Sequence, residues 1–153
     1  MEKSIKNENR DYMFQALNME EVDITNYSPL TLAYIGDSVY DLIIKSLVVN
    51  RGNKQVKKLH AETSRMVQAS AQSEMMRVLQ DVLTEEEHAV YKRGRNAKSV
   101  SPAKNQSLTD YRRATGFEAL MGWLYMNGEY KRMIDLIKTG LDHLKEVNKD
   151  ITE

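Results

Sequence analysis

The stretch Ser28-Pro29-Leu30-Thr31-Leu32-Ala33-Tyr34-Ile35-Gly36-Asp37-Ser38-Val39-Tyr40-Asp41-Leu42-Ile43-Ile44-Lys45-Ser46-Leu47-Val48-Val49-Asn50 decides the fold class. Serine followed by proline starts a helix well: the Ser hydroxyl caps free backbone N–H groups, and Pro at the first helical position lacks the N–H that would go unused. Leu32, Ile35, Val39, Leu42, Ile43 and Leu47 then recur at three- and four-residue steps until Gly52 stops the pattern. The spacing predicts one long, mostly buried helix.

Working outward, the same periodicity recurs and strand-like alternation does not. Asn53 is expected to open a second helix through Val56, Leu59, Thr63, Met66 and Val67, and Ser73 to cap a third carrying Met76, Leu79 and Leu83. Thr84-Glu85-Glu86-Glu87 reads as a capping box opening a short helix that ends near Gly94. Residues 95–108 form the one long loop, and loops of that length in a small domain usually carry function. Thr109 and Asp110 start a helix with Ala114, Phe117, Leu120, Met121 and Leu124 on its apolar stripe, closed by Asn127-Gly128; a last helix carries Met133, Ile134, Ile137, Leu141 and Leu144. The expected fold is all-α. Its organisation is a loosely ordered arm over 1–24, a domain over 25–147 and a frayed tail over 148–153.

Composition narrows the function. The 153 residues carry 22 Lys plus Arg, 22 Asp plus Glu and no Cys, which excludes disulfides, thiol nucleophiles and Cys-ligated metal sites and suits a reducing cytoplasm. No apolar run is long enough to span a membrane, and the first residues lack a signal-peptide core. The zero net charge conceals an uneven distribution. From Lys92 to Arg113, the cations Lys92, Arg93, Arg95, Lys98, Lys104, Arg112 and Arg113 face Asp110 alone, seven against one. Such a local concentration can attract phosphate on a neutral protein.

Two carboxylates interrupt apolar helices. Asp37 sits in the opening stretch and Glu118 within Gly116-Phe117-Glu118-Ala119-Leu120-Met121-Gly122, with Asp41 one turn from Asp37. Buried carboxylates need partners. Glycine at Gly36 and Gly122 would let the two helices approach closely, bringing Asp37 opposite Glu118, and oxygen ligands of this kind suit Mg²⁺. The alternatives are that each acid caps a backbone or pairs with an arginine. His60, His88 and His143 show no metal-ligand spacing, and Tyr111 and Trp123 read as packing residues.

The segments Leu32 to Asp41, Lys92-Arg93-Gly94-Arg95-Asn96-Ala97-Lys98 and Phe117 to Tyr125 together resemble Mini-ribonuclease III, the short bacterial relative of ribonuclease III that lacks the double-stranded-RNA-binding domain. The resemblance runs from about Pro29 to Ile137. It implies an all-helical endonuclease that works as a homodimer and cuts both strands of duplex RNA with Mg²⁺ or Mn²⁺. Asp37 corresponds to that family's metal-binding aspartate and Glu118 to its metal-binding glutamate, with Asp41, Tyr34 and Thr115 as supporting residues around the metal. Longer ribonuclease III enzymes have a Glu in place of Ala33 and an Asp in place of Thr115; the Mini branch shares this reduction. Lys92, Arg93, Arg95, Asn96, Lys98, Ser99, Lys104, Arg112 and Arg113 are the expected RNA contacts, since A-form duplexes are recognised through phosphates and 2′-hydroxyls. The implied role is maturation of the large-subunit ribosomal RNA precursor, with a ribosomal protein on that substrate as a further partner. The competing expectation is a non-catalytic RNA-binding or ribosome-assembly protein. For a duplex cutter, two copies related by a two-fold axis are expected, with Tyr34, Tyr40 and Ile44 of the Asp37 helix at the interface.

Overall fold

The computed structural model describes residues 8–97 and 107–148, and all regular structure among these is helical. The helices are α1 (Glu8–Ala16), α2 (Pro29–Asn50), α3 (Val56–Val67), α4 (Ala69–Leu79), α5 (Glu85–Arg95), α6 (Leu108–Met126) and α7 (Tyr130–Val147).

Several ends follow directly from local chemistry. Ser28 Oγ accepts from the Leu30 N–H at 3.1 Å, as the Ser-Pro start requires. Thr84 and Glu87 form both halves of the capping box. Glu87 also grips Arg132 of α7 with both oxygens at 2.8 Å, and that bond holds its carboxyl below the usual range. Other ends differ from expectation. The second helix begins at Val56 rather than Asn53, and the third at Ala69 rather than after Ser73, which is buried inside it. A single extended residue, Gln68, turns α3 into α4 without a side-chain cap, so no capping signal marks the corner. Helix α6 starts at Leu108 because Ser107 Oγ accepts from the Asp110 N–H at 3.0 Å.

Helix α6 occupies the centre. Its residues Phe117, Leu120, Met121 and Leu124 are fully covered by Tyr40, Ile44 and Val48 of α2, Met75, Met76 and Leu79 of α4, Tyr91 of α5, and Met133, Leu136 and Ile137 of α7. A helix apolar nearly all round belongs in such a position. Tyr40 and Ile44 are therefore core residues and cannot form an interface between copies. The Tyr40 hydroxyl donates to the Met66 carbonyl at 2.7 Å, and its ring meets Phe117 edge to face. Tyr34 differs sharply: it is 80% exposed. Because α2 is apolar on most sides, its periodicity alone does not reveal which face is inward. Ala33 and Gly36 lie on the buried side, whereas Leu42 is exposed.

Two glycines, Gly36 and Gly122, bring α2 and α6 into close approach. A Cβ at Gly36 would overlap the Glu118 carbonyl of α6, and one at Gly122 would overlap the Leu32 carbonyl of α2. Backbone therefore meets backbone where α2 crosses α6.

From Glu8 onward the N-terminal segment expected to be loose is anchored. Arg10, 5% exposed, lies over the Phe14 ring at 4.0 Å and donates to the Met126 carbonyl at 2.6 Å. That carbonyl ends α6, where a cation complements the helix dipole. Arg10→Ala should lower stability by about 2 kcal/mol, the scale of a charge-assisted hydrogen bond plus a ring contact. Urea unfolding checks this, and an unchanged midpoint would show that the anchor contributes nothing.

Candidate active site

Asp37 and Glu118 come together because Gly36 and Gly122 remove the side chains that would hold α2 and α6 apart. Asp37 is exposed, not buried as its apolar surroundings suggest, since it lies off the inward face of α2. Glu118 is half-buried. Its carboxyl is pushed up to about 8, first by desolvation and then by the negative charge of Asp37 and a hydrogen bond with it. Among the described residues no Lys or Arg forms an ion pair with either acid, so the arginine-paired alternative is not realised.

The pair opens into a cavity of roughly 280 Å³ lined by Leu30, Ala33, Tyr34, Asp37, Ser38, Tyr111, Thr115 and Glu118. Ala33 and Thr115, the positions at which the resemblance implies acids in longer ribonuclease III enzymes, both line it. The Thr115 hydroxyl donates to the Tyr111 carbonyl one turn back, at 3.0 Å. Tyr34 borders the cavity as expected, and Tyr111, read as a packing residue, borders it too. Asp41 does not: it pairs with Lys45 at 3.0 Å on the outer side of α2. Tyr40, three residues from Asp37, is held in the core and does not border the cavity.

One neighbour was missed by sequence reasoning. Gln72 of α4 is 1% exposed, and its Nε2 donates to Glu118 Oε2 at 3.4 Å and to the Val67 carbonyl at 2.9 Å. The available signal was a polar residue on the stripe it shares with Met75, Met76 and Leu79.

This donor set fits a hard divalent cation. Burial of Glu118, with the charge of Asp37 beside it, pushes its carboxyl up to about 8, and a bound dication would favour the charged form of both acids. Among the described residues no cluster of three or more His, Cys, Asp and Glu forms. The histidines lie elsewhere: His143 meets Glu74 at 2.7 Å, His88 faces Tyr91, and His60 is exposed.

The cation-bearing end of α5 meets α6 at Thr115, which also lines the cavity, because the two helices pack tightly through Gly94 and Gly116. A Cβ at Gly94 would crowd Ala119, and one at Gly116 would crowd Tyr91. The end of α5 thereby approaches the turn of α6 that carries Tyr111 and Thr115. Lys92 and Asn96 are exposed, as is Arg112 on α6, while Arg113 is half-buried. Arg93 is exposed but donates to the Tyr27 carbonyl at 3.0 Å, tying down the segment before α2. Arg95 lies over the Tyr91 ring at 5.6 Å and donates to Asn96 at 3.3 Å. Lys98, Ser99 and Lys104 fall outside the described residues.

Residues 30–129 match the ribonuclease III domain family. The chain is 43% identical to a Mini-ribonuclease 3 of Clostridium tetani over 84% of its own length and 85% of the relative's, and 42% identical to that of a Thermoanaerobacter species over 80% and 87%. A crystal structure of a Fusobacterium nucleatum protein superposes with a TM-score of 0.67 at 28% identity, covering 76% of this chain and 93% of that one. Members of the ribonuclease III family generally use a divalent metal, which agrees with an acidic pair that, among the described residues, no Lys or Arg bridges. Sequence, fold and donor set agree, and the chain belongs to the ribonuclease III family of endoribonucleases, alongside the Mini-ribonuclease 3 proteins.

Proposed function

We propose that the chain is a Mg²⁺-dependent endoribonuclease that cuts both strands of duplex RNA as a homodimer, in maturation of the large-subunit ribosomal RNA precursor. The observation that carries the reading is the Asp37–Glu118 pair in an open cavity beside the cationic end of α5. When bound there, a divalent cation supplies water activation and stabilises charge on the phosphate and the leaving oxygen. Asp37 and Glu118 hold it, and no protein nucleophile is needed. The exposed cations of α5 and α6 hold the duplex by its phosphates, orienting one strand across the cavity. One cavity per chain serves one strand, so cutting a duplex calls for a two-fold pair. The outer face of α2 suits that contact, because Tyr34, Leu42 and Val49 are large apolar residues left exposed there. The ribosomal precursor as substrate rests on similarity to the Mini branch, and a ribosomal protein bound to that precursor would be the further partner. The setting would be the cytoplasm; among the described residues no helix is long and apolar enough to cross a membrane.

The purified protein should cut a long RNA duplex in Mg²⁺ or Mn²⁺ and leave it intact in EDTA, and Asp37→Asn should be inactive. Binding without cutting across titrations of both metals would establish the alternative, a non-catalytic RNA-binding or ribosome-assembly protein. Sedimentation as a monomer, with full double-strand cutting, would overturn the two-fold pair.

Binding and chemistry should separate. Replacing Lys92, Arg95 and Arg112 with Gln should weaken duplex affinity and flatten its salt dependence by about one unit of slope per lost phosphate contact, leaving the metal requirement unchanged. Arg93 is a poorer choice, since its loss also frees the Tyr27 segment. Filter binding in Ca²⁺ over a KCl series reads this out; unaltered affinity would exclude this surface as the RNA contact.

A further inference from the structure

We propose that Gln72 is the positioning residue for Glu118, holding one carboxylate oxygen by a side-chain N–H so that the other stays turned toward the cation. The proposal rests on the reading of Asp37 and Glu118 as a cation site. Its structural basis is a single buried amide that joins three helices. Gln72 sits in the first turn of α4 and donates across the α3–α4 corner to the Val67 carbonyl at 2.9 Å, and toward α6 to Glu118 Oε2 at 3.4 Å.

Two features distinguish this role from packing. The Gln72 Oε1 is buried and has no hydrogen-bond partner among the described residues. A buried polar atom without a partner is unfavourable, and a methionine of the same length would fill the volume without that penalty. Reversing the amide would point its oxygen at the Val67 carbonyl, which can only accept, so the orientation is set. The second feature is charge. A lysine or arginine at this position would neutralise Glu118 and compete with the cation, whereas another carboxylate would repel it and could not serve Val67 when ionised. A neutral amide at 3.4 Å directs Glu118 without capturing it. Groups that orient metal-binding side chains in this way usually change metal affinity when removed, while the ligand itself remains.

The test is Mn²⁺ binding by the whole protein without RNA, followed by electron paramagnetic resonance. Gln72→Met should weaken Mn²⁺ binding by about tenfold or more, and cutting should recover at saturating metal because Asp37 and Glu118 remain. Losing the Val67 contact alone would lower the melting temperature but would not shift the Mn²⁺ affinity. Unchanged Mn²⁺ affinity in Gln72→Met overturns the proposal. A readout on the unaltered chain covers the case in which the variant does not fold. In a Mg²⁺ titration by NMR, the Gln72 side-chain amide should shift with the same midpoint as the Glu118 carboxyl carbon, and a stationary amide signal overturns the proposal. A wild-type chain that takes up no Mn²⁺ defeats the cation-site reading and this inference together; wild-type uptake with an indifferent Gln72 defeats only the latter.

Discussion

Glu118→Gln should reduce duplex cutting by about three orders of magnitude or more, because the several kcal/mol that a held cation contributes at the transition state are lost with its ligand. The same change should stabilise the metal-free protein. Glu118 is pushed up to about 8 in the folded chain from its ordinary 4.5, by desolvation and by Asp37. A carboxyl whose folded value is raised contributes stability below pH 4.5, and that contribution is lost as the pH climbs toward 8. Glutamine does not titrate, so the variant should melt a few degrees above wild type at pH 8 in EDTA, with the gap closing toward pH 4.5. Adding Mg²⁺ should raise the melting temperature of wild type and leave the variant unmoved. Retained cutting would remove Glu118 from the chemistry, and a wild type that melts higher than the variant at pH 8 would contradict the strained pair.

Gly36→Ala should be the most damaging single methyl group in the molecule. Alanine improves helix propensity by about 1 kcal/mol, but the added carbon overlaps the Glu118 carbonyl, and backbone cannot rotate away as a side chain does. Helices α2 and α6 must separate, loosening Tyr40, Ile44 and Val48 against α6. A net loss of about 3 kcal/mol or more is expected, lowering the melting temperature by roughly 10 °C. Separation would also carry Asp37 away from Glu118, so cutting should fall even in the fraction that stays folded. Thermal melting followed by circular dichroism decides the matter. A variant that melts with wild type would mean that the crossing has room the structure does not show.

What the sequence determined was whatever depends on neighbours along the chain. The existence of α2 to α7, though not of α1, followed from three- and four-residue apolar steps, and the starts at Ser28 and Thr84 followed from hydroxyls placed just before the N–H groups they satisfy. Asp37 and Glu118 stood out because acids interrupt apolar helices beside glycines, a pattern that also carried the family resemblance. Tertiary structure decided whatever depends on which side of a helix meets a neighbour. Helix α2 is apolar on most sides, so only its packing against α6 could assign Tyr40 and Ile44 to the core, leave Tyr34 outside and place Asp41 beyond the cavity. The Arg10 anchor joins residues 116 positions apart, and the Gln72 contact with Glu118 joins residues 46 positions apart. Hydrogen bonds of that span leave no periodic trace, because their partners are brought together by the packing of α1 and α4 against α6 and not by the spacing of residues on any one of them.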